Sequence, residues 1–291
     1  MRKSLILLPF LLAAMPASAQ SAPPREIAYG AAQLQRLDFY RGAGDAAPLV
    51  VFIHGGGWQR GDKGNATGAA KIAHFTGRGF AFASVNYRLV PGATVEQQAQ
   101  DVADSLAYLA GHAGALGVDP GKIVVMGHSA GAHLAALVAT DPAYLRKAGW
   151  GLDKLAGVVL LDGAAYDVPT QMADGPRIMG GTYDAAFGRD PARQRALSPT
   201  LQAAAPNARD FLILHVARAD GTRQSEALGR ALAAAGARVT VEGFAGQGLR
   251  GHMEINRALG DPGYPATAVV DRWIDSVLAR RVLDAGARIP R

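Results

Sequence analysis

The sequence contains no cysteine. That absence removes disulfides, cysteine-based zinc sites and thiol nucleophiles together. Nowhere does it hold an apolar run of the roughly 20 residues that a membrane-spanning helix needs. Only 7% of its 291 residues are aromatic and 19% charged. The basic residues are spread along the chain and form no stripe with interleaved aromatics, so nucleic acid is not an expected partner. Lysine is scarce beside arginine, which reads as a coding bias rather than a function. What is there is apolar: 49% hydrophobic residues, with 36 Gly and 16 Pro. A disordered chain would be poorer in apolar residues, and a collagen-like one would carry Gly at every third position. The composition fits a globular protein with one large core, in one domain or at most two.

The first residues have the layout of an export signal. Arg2 and Lys3 form a basic start, Leu5 to Met15 is an apolar run interrupted by Pro9, and Ala17-Ser18-Ala19 is a small-x-small site. We expect residues 1–19 to be a signal peptide cleaved before Gln20. Residues 20–291 are then one domain, periplasmic or secreted from a bacterium, with no stable membrane insertion. Removing Arg2 and Lys3 lowers the formal net charge from +6 to about +4, too little to call for an acidic partner.

Beyond the leader, β-rich runs alternate with helical patterns. Arg36–Tyr40, Leu49–Ile53, Phe80–Asn86, Lys122–Met126, Gly157–Leu161, Phe211–Leu214 and Val239–Glu242 read as strands, several nearly continuous in Val, Ile, Leu and Phe. Such runs suit strands buried on both faces of a parallel sheet. Val95, Ala99, Val102, Leu106 and Leu109 repeat at helical spacing, as do Leu228, Leu232 and Ala235, and a closing helix runs through Val270, Trp273, Val277 and Leu278. The alternation predicts an α/β fold. One connection breaks it: residues 163–210, rich in Gly, Pro and Asp, form a long irregular insertion of the kind that serves as a lid or binding loop.

The chemistry gathers where strands end. Lys122–Met126 runs into Gly127-His128-Ser129-Ala130-Gly131 and then a small-residue helix, a G-x-S-x-G in the strand–turn–helix setting that its mechanics require. Leu49–Ile53 ends in His54-Gly55-Gly56-Gly57-Trp58, whose glycine amides can approach a developing oxyanion together with the N–H of Ala130. A serine nucleophile needs a base, and the base an orienting acid. Of seven histidines, His54 and His128 belong to the motifs as loop-shaping neighbours. His133 and His215 read as packed, and His74 and His112 as surface positions. His252 remains, in a glycine-rich stretch, 246–254, read as a flexible loop able to swing toward Ser129. Chain order puts the acid between residues 129 and 252. Asp220, read as a loop residue after the strand Phe211–Leu214, is the preferred acid; Asp162 is its rival and Asp167 the third candidate.

HGGGW, GHSAG, Asn86-Tyr87-Arg88-Leu89 and His252-Met253-Glu254-Ile255-Asn256 together resemble the α/β-hydrolase superfamily. Within it, they resemble the HGGG-type esterases, which include hormone-sensitive-lipase-like carboxylesterases, feruloyl-esterase-like proteins and kynurenine formamidase. The resemblance spans about residues 25–282. It implies a mostly parallel central sheet with helices on both faces and a lid-like insertion after the sixth strand. It carries the nucleophile, base and acid onto Ser129, His252 and Asp220, and the oxyanion donors onto the backbone of Gly56, Gly57 and Ala130. The acid loop, 217–222, lacks the Val-Pro that often follows the family's acid. The expected reaction is hydrolysis of a small-molecule carboxylic ester through an acyl-enzyme, with no metal or cofactor. Formamide hydrolysis by the same triad is the alternative, and a non-catalytic binding protein of this fold a remote one. Trp58, Tyr166 and Tyr183 are candidates for substrate contact. Tyr166 and Tyr183, with Met172, Met179 and Phe187, could equally pack the insertion onto the sheet.

Overall fold

The computed structural model describes residues 23–174, 179–204 and 206–286. The expected signal peptide, 1–19, lies outside them. Eight strands form one sheet: β1 Arg25–Ala28, β2 Arg36–Tyr40, β3 Ala47–Ile53, β4 Ala81–Val85, β5 Val118–His128, β6 Leu155–Leu161, β7 Asp210–Ala217 and β8 Arg238–Gln247. Their order is β1-β2-β4-β3-β5-β6-β7-β8. The β1–β2 and β2–β4 pairs are antiparallel, and every pairing from β4 through β3 to β8 is parallel.

Strand alternation divides the core in two. Leu49, Val51 and Ile53 of β3 face one layer, while Val50 and Phe52 face the other. Helix α1 (Ala69–Gly77) links β3 to β4, α2 (Val95–Gly111) and α3 (Ala113–Leu116) link β4 to β5, and α4 (Ala130–Thr140) and α5 (Pro142–Lys147) follow β5. The first layer is built on α2 and α4, the second on α1 and two C-terminal helices. Thr94 starts α2 with a capping box shared with Gln97. Every residue of α4 is buried, and its alanines and Gly131 let it lie close against the sheet.

The connection from β6 to β7 is more ordered than its composition suggests. Among its described residues it holds four short helices, α6 (Val168–Asp174), α7 (Gly180–Phe187), α8 (Pro191–Ala196) and α9 (Pro199–Gln202). The residues read as loop-formers are helix ends. Asp190 caps α8 through the N–H of Ala192, Asp167 accepts from the N–H of Thr170 at the start of α6, and Pro191 and Pro199 occupy first-turn positions. After β7 come α10 (Ala219–Ala234), α11 (Gly248–Ala258) following β8, and α12 (Pro265–Gly286). Both the predicted loop around Asp220 and most of the predicted loop at 246–254 are therefore helix. Among the described residues, no helix is long and apolar enough to cross a membrane.

Candidate active site

Ser129 stands between β5 and α4 with φ 56° and ψ −121°, a conformation L-residues rarely adopt. Such a turn costs about 1–3 kcal/mol and persists only where its surroundings hold it. Here the N–H of Ser129 donates to the carbonyl of Leu161 at 3.1 Å, and its carbonyl accepts from His133 N at 3.1 Å. The two motif glycines are required by space. A Cβ on Gly127 would meet the backbone of Gly131 at 2.3 Å, and one on Gly131 the carbonyl oxygen of Ile53 at 2.1 Å. The crossing of β5, α4 and the end of β3 therefore admits no side chain at either position.

His252 reaches this turn from the first half of α11. Its Nε2 is 3.0 Å from Ser129 Oγ and its Nδ1 2.5 Å from Asp162 Oδ2. The carboxylate can only accept, so Nδ1 carries the proton and Nε2 is left to accept from the serine hydroxyl. The backbone carbonyl of His252 accepts from His128 Nε2 at 2.9 Å, and the two rings lie 4.5 Å apart. Burial, and next the charge His252 can carry, push His128 well below the ordinary histidine range. His128 thus stays neutral as a donor.

The partner of His252 differs from the expectation. Asp220 does not meet His252. It sits in the first turn of α10, where its Oδ2 accepts from Arg218 Nη1 at 2.8 Å and Gln171 Nε2 at 3.2 Å. Asp162, at the end of β6, takes the place beside His252. β6 is hydrogen-bonded to β5, which carries Ser129, and Asp220, after β7, is held by Arg218 and Gln171 instead. Asp162 is fully buried with φ 42°; its Oδ1 accepts from Val216 N at 3.1 Å and its own N–H donates to Leu214 O at 2.7 Å. Burial alone would raise this carboxyl, but the hydrogen bond from His252, the Arg218 charge and the Val216 N–H outweigh it and hold it below its ordinary value.

Opposite Ser129 lies the glycine loop after β3. Gly56 and Gly57 have φ of 124° and 61°, and a Cβ on Gly56 would clash with the carbonyl of Arg60 at 2.0 Å. A Cβ on Gly55 would lie 3.0 Å from that of Ser129, so the two loops touch. Among the described residues, no hydrogen bond takes up the N–H of Gly56, Gly57 or Ala130. The loop is held from behind. Trp58 O accepts from Gln98 Nε2 at 2.7 Å and Val90 N at 3.0 Å, and Tyr87 Oη donates to His54 O at 2.9 Å.

The cleft over Ser129 has a volume of about 560 Å³. Gly55–Gly57, Arg60, Asn65, Ala66, His128, Met179, Thr182, Leu249, His252, Met253, Asn256 and Arg257 help line it. A somewhat larger groove, about 630 Å³, opens beside Trp150 and Arg281, but no serine or histidine lines it. The expected contact residues are elsewhere. Trp58 and Tyr166 are fully buried and Tyr183 nearly so. Trp58 packs against His133, Tyr183 and Phe187 and donates to His133 Nδ1 at 3.3 Å. These aromatics pin the insertion to the sheet. Of the insertion residues singled out from sequence, Met179 reaches the cleft. Leu249 and Met253, one turn apart on α11 and 73% and 52% exposed, form an apolar wall that the loop reading concealed.

Comparison with known proteins places this arrangement in context. A family model described as BD-FAE matches residues 37–148, from β2 to the end of α5. A rice (Oryza sativa subsp. japonica) protein named as a probable isoprenylcysteine alpha-carbonyl methylesterase is 33% identical over 145 residues, 48% of this chain and 34% of its own. Esterase LipC of Mycobacterium tuberculosis is 28% identical over 205 residues, 67% of this chain and 50% of its own. The chain thus spans between a third and a half of the length of these curated relatives. Esterase B of Lactobacillus rhamnosis superposes with a TM-score of 0.74 at 22% identity, covering 92% of this chain and 91% of that one. Thermogutta terrifontis esterase 2, phosphonylated by sarin, superposes at 0.68 and 21% identity, covering 95% and 100%. The fold is that of the α/β hydrolases.

Proposed function

We propose that this chain is a serine carboxylesterase that cleaves small-molecule esters through an acyl-enzyme on Ser129. The observation that carries the reading is the relay Ser129–His252–Asp162, with contacts of 3.0 and 2.5 Å, facing a loop of unengaged amides. Ser129 Oγ attacks the ester carbonyl as its proton passes to His252 Nε2. Asp162 holds the ring with Nδ1 protonated and offsets the imidazolium charge. The tetrahedral oxyanion is received by the N–H groups of Gly56, Gly57 and Ala130, each such donor typically contributing roughly 3–4 kcal/mol. His252 then protonates the departing alcohol, and water, deprotonated by the same ring, releases the acid and restores Ser129.

The likeness to named esterases supports this reading, as does the inhibition of the Lactobacillus esterase by a tributyrin phosphonate, a phosphorus mimic of an ester transition state. The mature protein should turn over short-chain p-nitrophenyl esters, and Ser129→Ala should abolish that turnover. Retention of full activity by Ser129→Ala would overturn the proposal. Export rests on the basic–apolar–small pattern of residues 1–19; N-terminal sequencing of the protein from a periplasmic extract should begin at Gln20, and an intact Met1 there would contradict it.

A further inference from the structure

Asp162 Oδ2 serves two donors. His252 Nδ1 reaches it at 2.5 Å, and Arg218 Nε reaches the same oxygen at 3.2 Å. The same guanidinium donates through Nη1 to Asp220 Oδ2 at 2.8 Å and through Nη2 to Gly163 O at 3.1 Å. It is largely enclosed, with a side chain 16% exposed between carboxylates 0% and 9% exposed. Gly221 leaves room for it: a Cβ there would come within 2.7 Å of Nη2. The acid of the relay is thus also one end of an Asp–Arg–Asp chain, and Asp220 is the counter-ion at the other end.

We propose that Arg218 is a positioning residue that sets the basicity of His252 by sharing Asp162 Oδ2 with it, and that Asp220 limits this effect by drawing off part of the guanidinium charge. This rests on the reading of His252 as the base. A carboxylate bonded to an imidazole favours the imidazolium, and a cation on the same oxygen opposes that. The guanidinium Nε and the imidazole Nδ1 are separated by no more than the two bonds to that oxygen, so the coupling is short-range and weakly screened. Other ionisable groups face the relay too. They are His128 at the end of β5, Tyr166 after β6, Lys71 on α1 behind Asn256, Tyr183 on α7 and Tyr264 ahead of α12, while α11 itself also carries Arg250, Glu254 and Arg257. None contacts Asp162 Oδ2, and none changes in the variants below.

The sign differs between the two members of the chain. Removing the cation in Arg218→Met should move the acid limb of kcat/KM up by about one pH unit, a tenfold change in imidazole affinity for its proton. Removing the distal anion in Asp220→Asn should move it down by about half a unit. Arg218→Lys keeps the charge and should stay close to the parent. A merely structural role would lower rates in all three without moving the limb in opposite directions. The measurement is the pH profile of p-nitrophenyl butyrate hydrolysis. Alongside it, the His252 ring is titrated by NMR in a Ser129→Ala background, which needs no turnover. An Arg218→Met limb and ring titration that stay in place or move down, or an Asp220→Asn limb that moves up, overturns the assignment. If Arg218→Met does not fold, Asp220→Asn decides alone. If no ester is hydrolysed at all, the functional reading fails, while the ring titration still decides the role of Arg218.

Discussion

Replacing Asp162 by Asn separates the two candidate acids most sharply. The change is nearly isosteric at a fully buried position, so the fold should survive it, but the hydrogen-bond chemistry inverts. The Val216 N–H fixes the oxygen of the amide at the Oδ1 site, which turns the NH2 toward His252 Nδ1. A donor there leaves Nδ1 unprotonated, and the ring proton moves to Nε2, facing Ser129 Oγ. The hydroxyl then loses its proton acceptor. Arg218 Nε meets the same NH2 group, donor against donor, which further disfavours the arrangement. A base held in the wrong tautomer typically loses about 10³–10⁴ in kcat, or roughly 4–5.5 kcal/mol of transition-state stabilisation. Asp220→Asn, remote from the ring, should lose less than about tenfold at its pH optimum. Steady-state kinetics of both variants on one aryl ester, with folding checked by near-UV circular dichroism, make the comparison. A large loss in Asp220→Asn with a small one in Asp162→Asn would refute the assignment of the acid.

Two further outcomes follow from packing and burial. Burial pushes the Lys71 ammonium, which donates to Asn256 O and Oδ1, down to about 7. Between that value and the unfolded value near 10.5 the unfolded chain holds a proton that the native one lacks, so stability should rise with pH across this window and level off below it. Lys71→Met should remove that rise, worth up to several kcal/mol; the same change in unfolding free energy between pH 7 and pH 9.5 for both proteins, from urea unfolding, would contradict it. Gly131→Ala drives a methyl into the carbonyls of Ile53 and His54, at 2.1 and 2.4 Å, both backbone atoms that cannot swing aside. It should destabilise by more than about 3 kcal/mol, seen as a lowered Tm, and a Tm unchanged within 2 °C would show that the crossing is looser than described.

What the sequence revealed follows a physical pattern. The nucleophile turn was legible because its requirements are local: a buried strand, two glycines with no space for Cβ, and a small-residue helix lie within about twenty consecutive residues. The HGGGW loop was legible for the same reason. The partner of His252 was not, because Asp162 and Asp220 both follow buried strands and both obey chain order. Only the sheet order, which puts β6 beside β5, and the capture of Asp220 by Arg218 and Gln171 distinguish them. The setting of His252 was misread because glycine usually breaks helices. Gly246 and Gly248 do adopt positive φ, but Gly251 lies within α11, where a Cβ would strike the Gly246 backbone at 2.5 Å. The insertion misled in a similar way: Asp and Pro mark helix starts as readily as loops, and four short helices leave little periodicity to detect.

The central claim is that Ser129 becomes the acylated residue, and covalent capture tests it most directly. Ser129 Oγ should bond to the phosphorus of a fluorophosphonate and displace fluoride, with the hydroxyl proton leaving through His252. Intact-mass spectrometry should then show one phosphonyl adduct per chain. Peptide mapping should place that adduct on Ser129, and Ser129→Ala should show none. An unmodified parent protein, or an adduct on any other residue, would contradict the account.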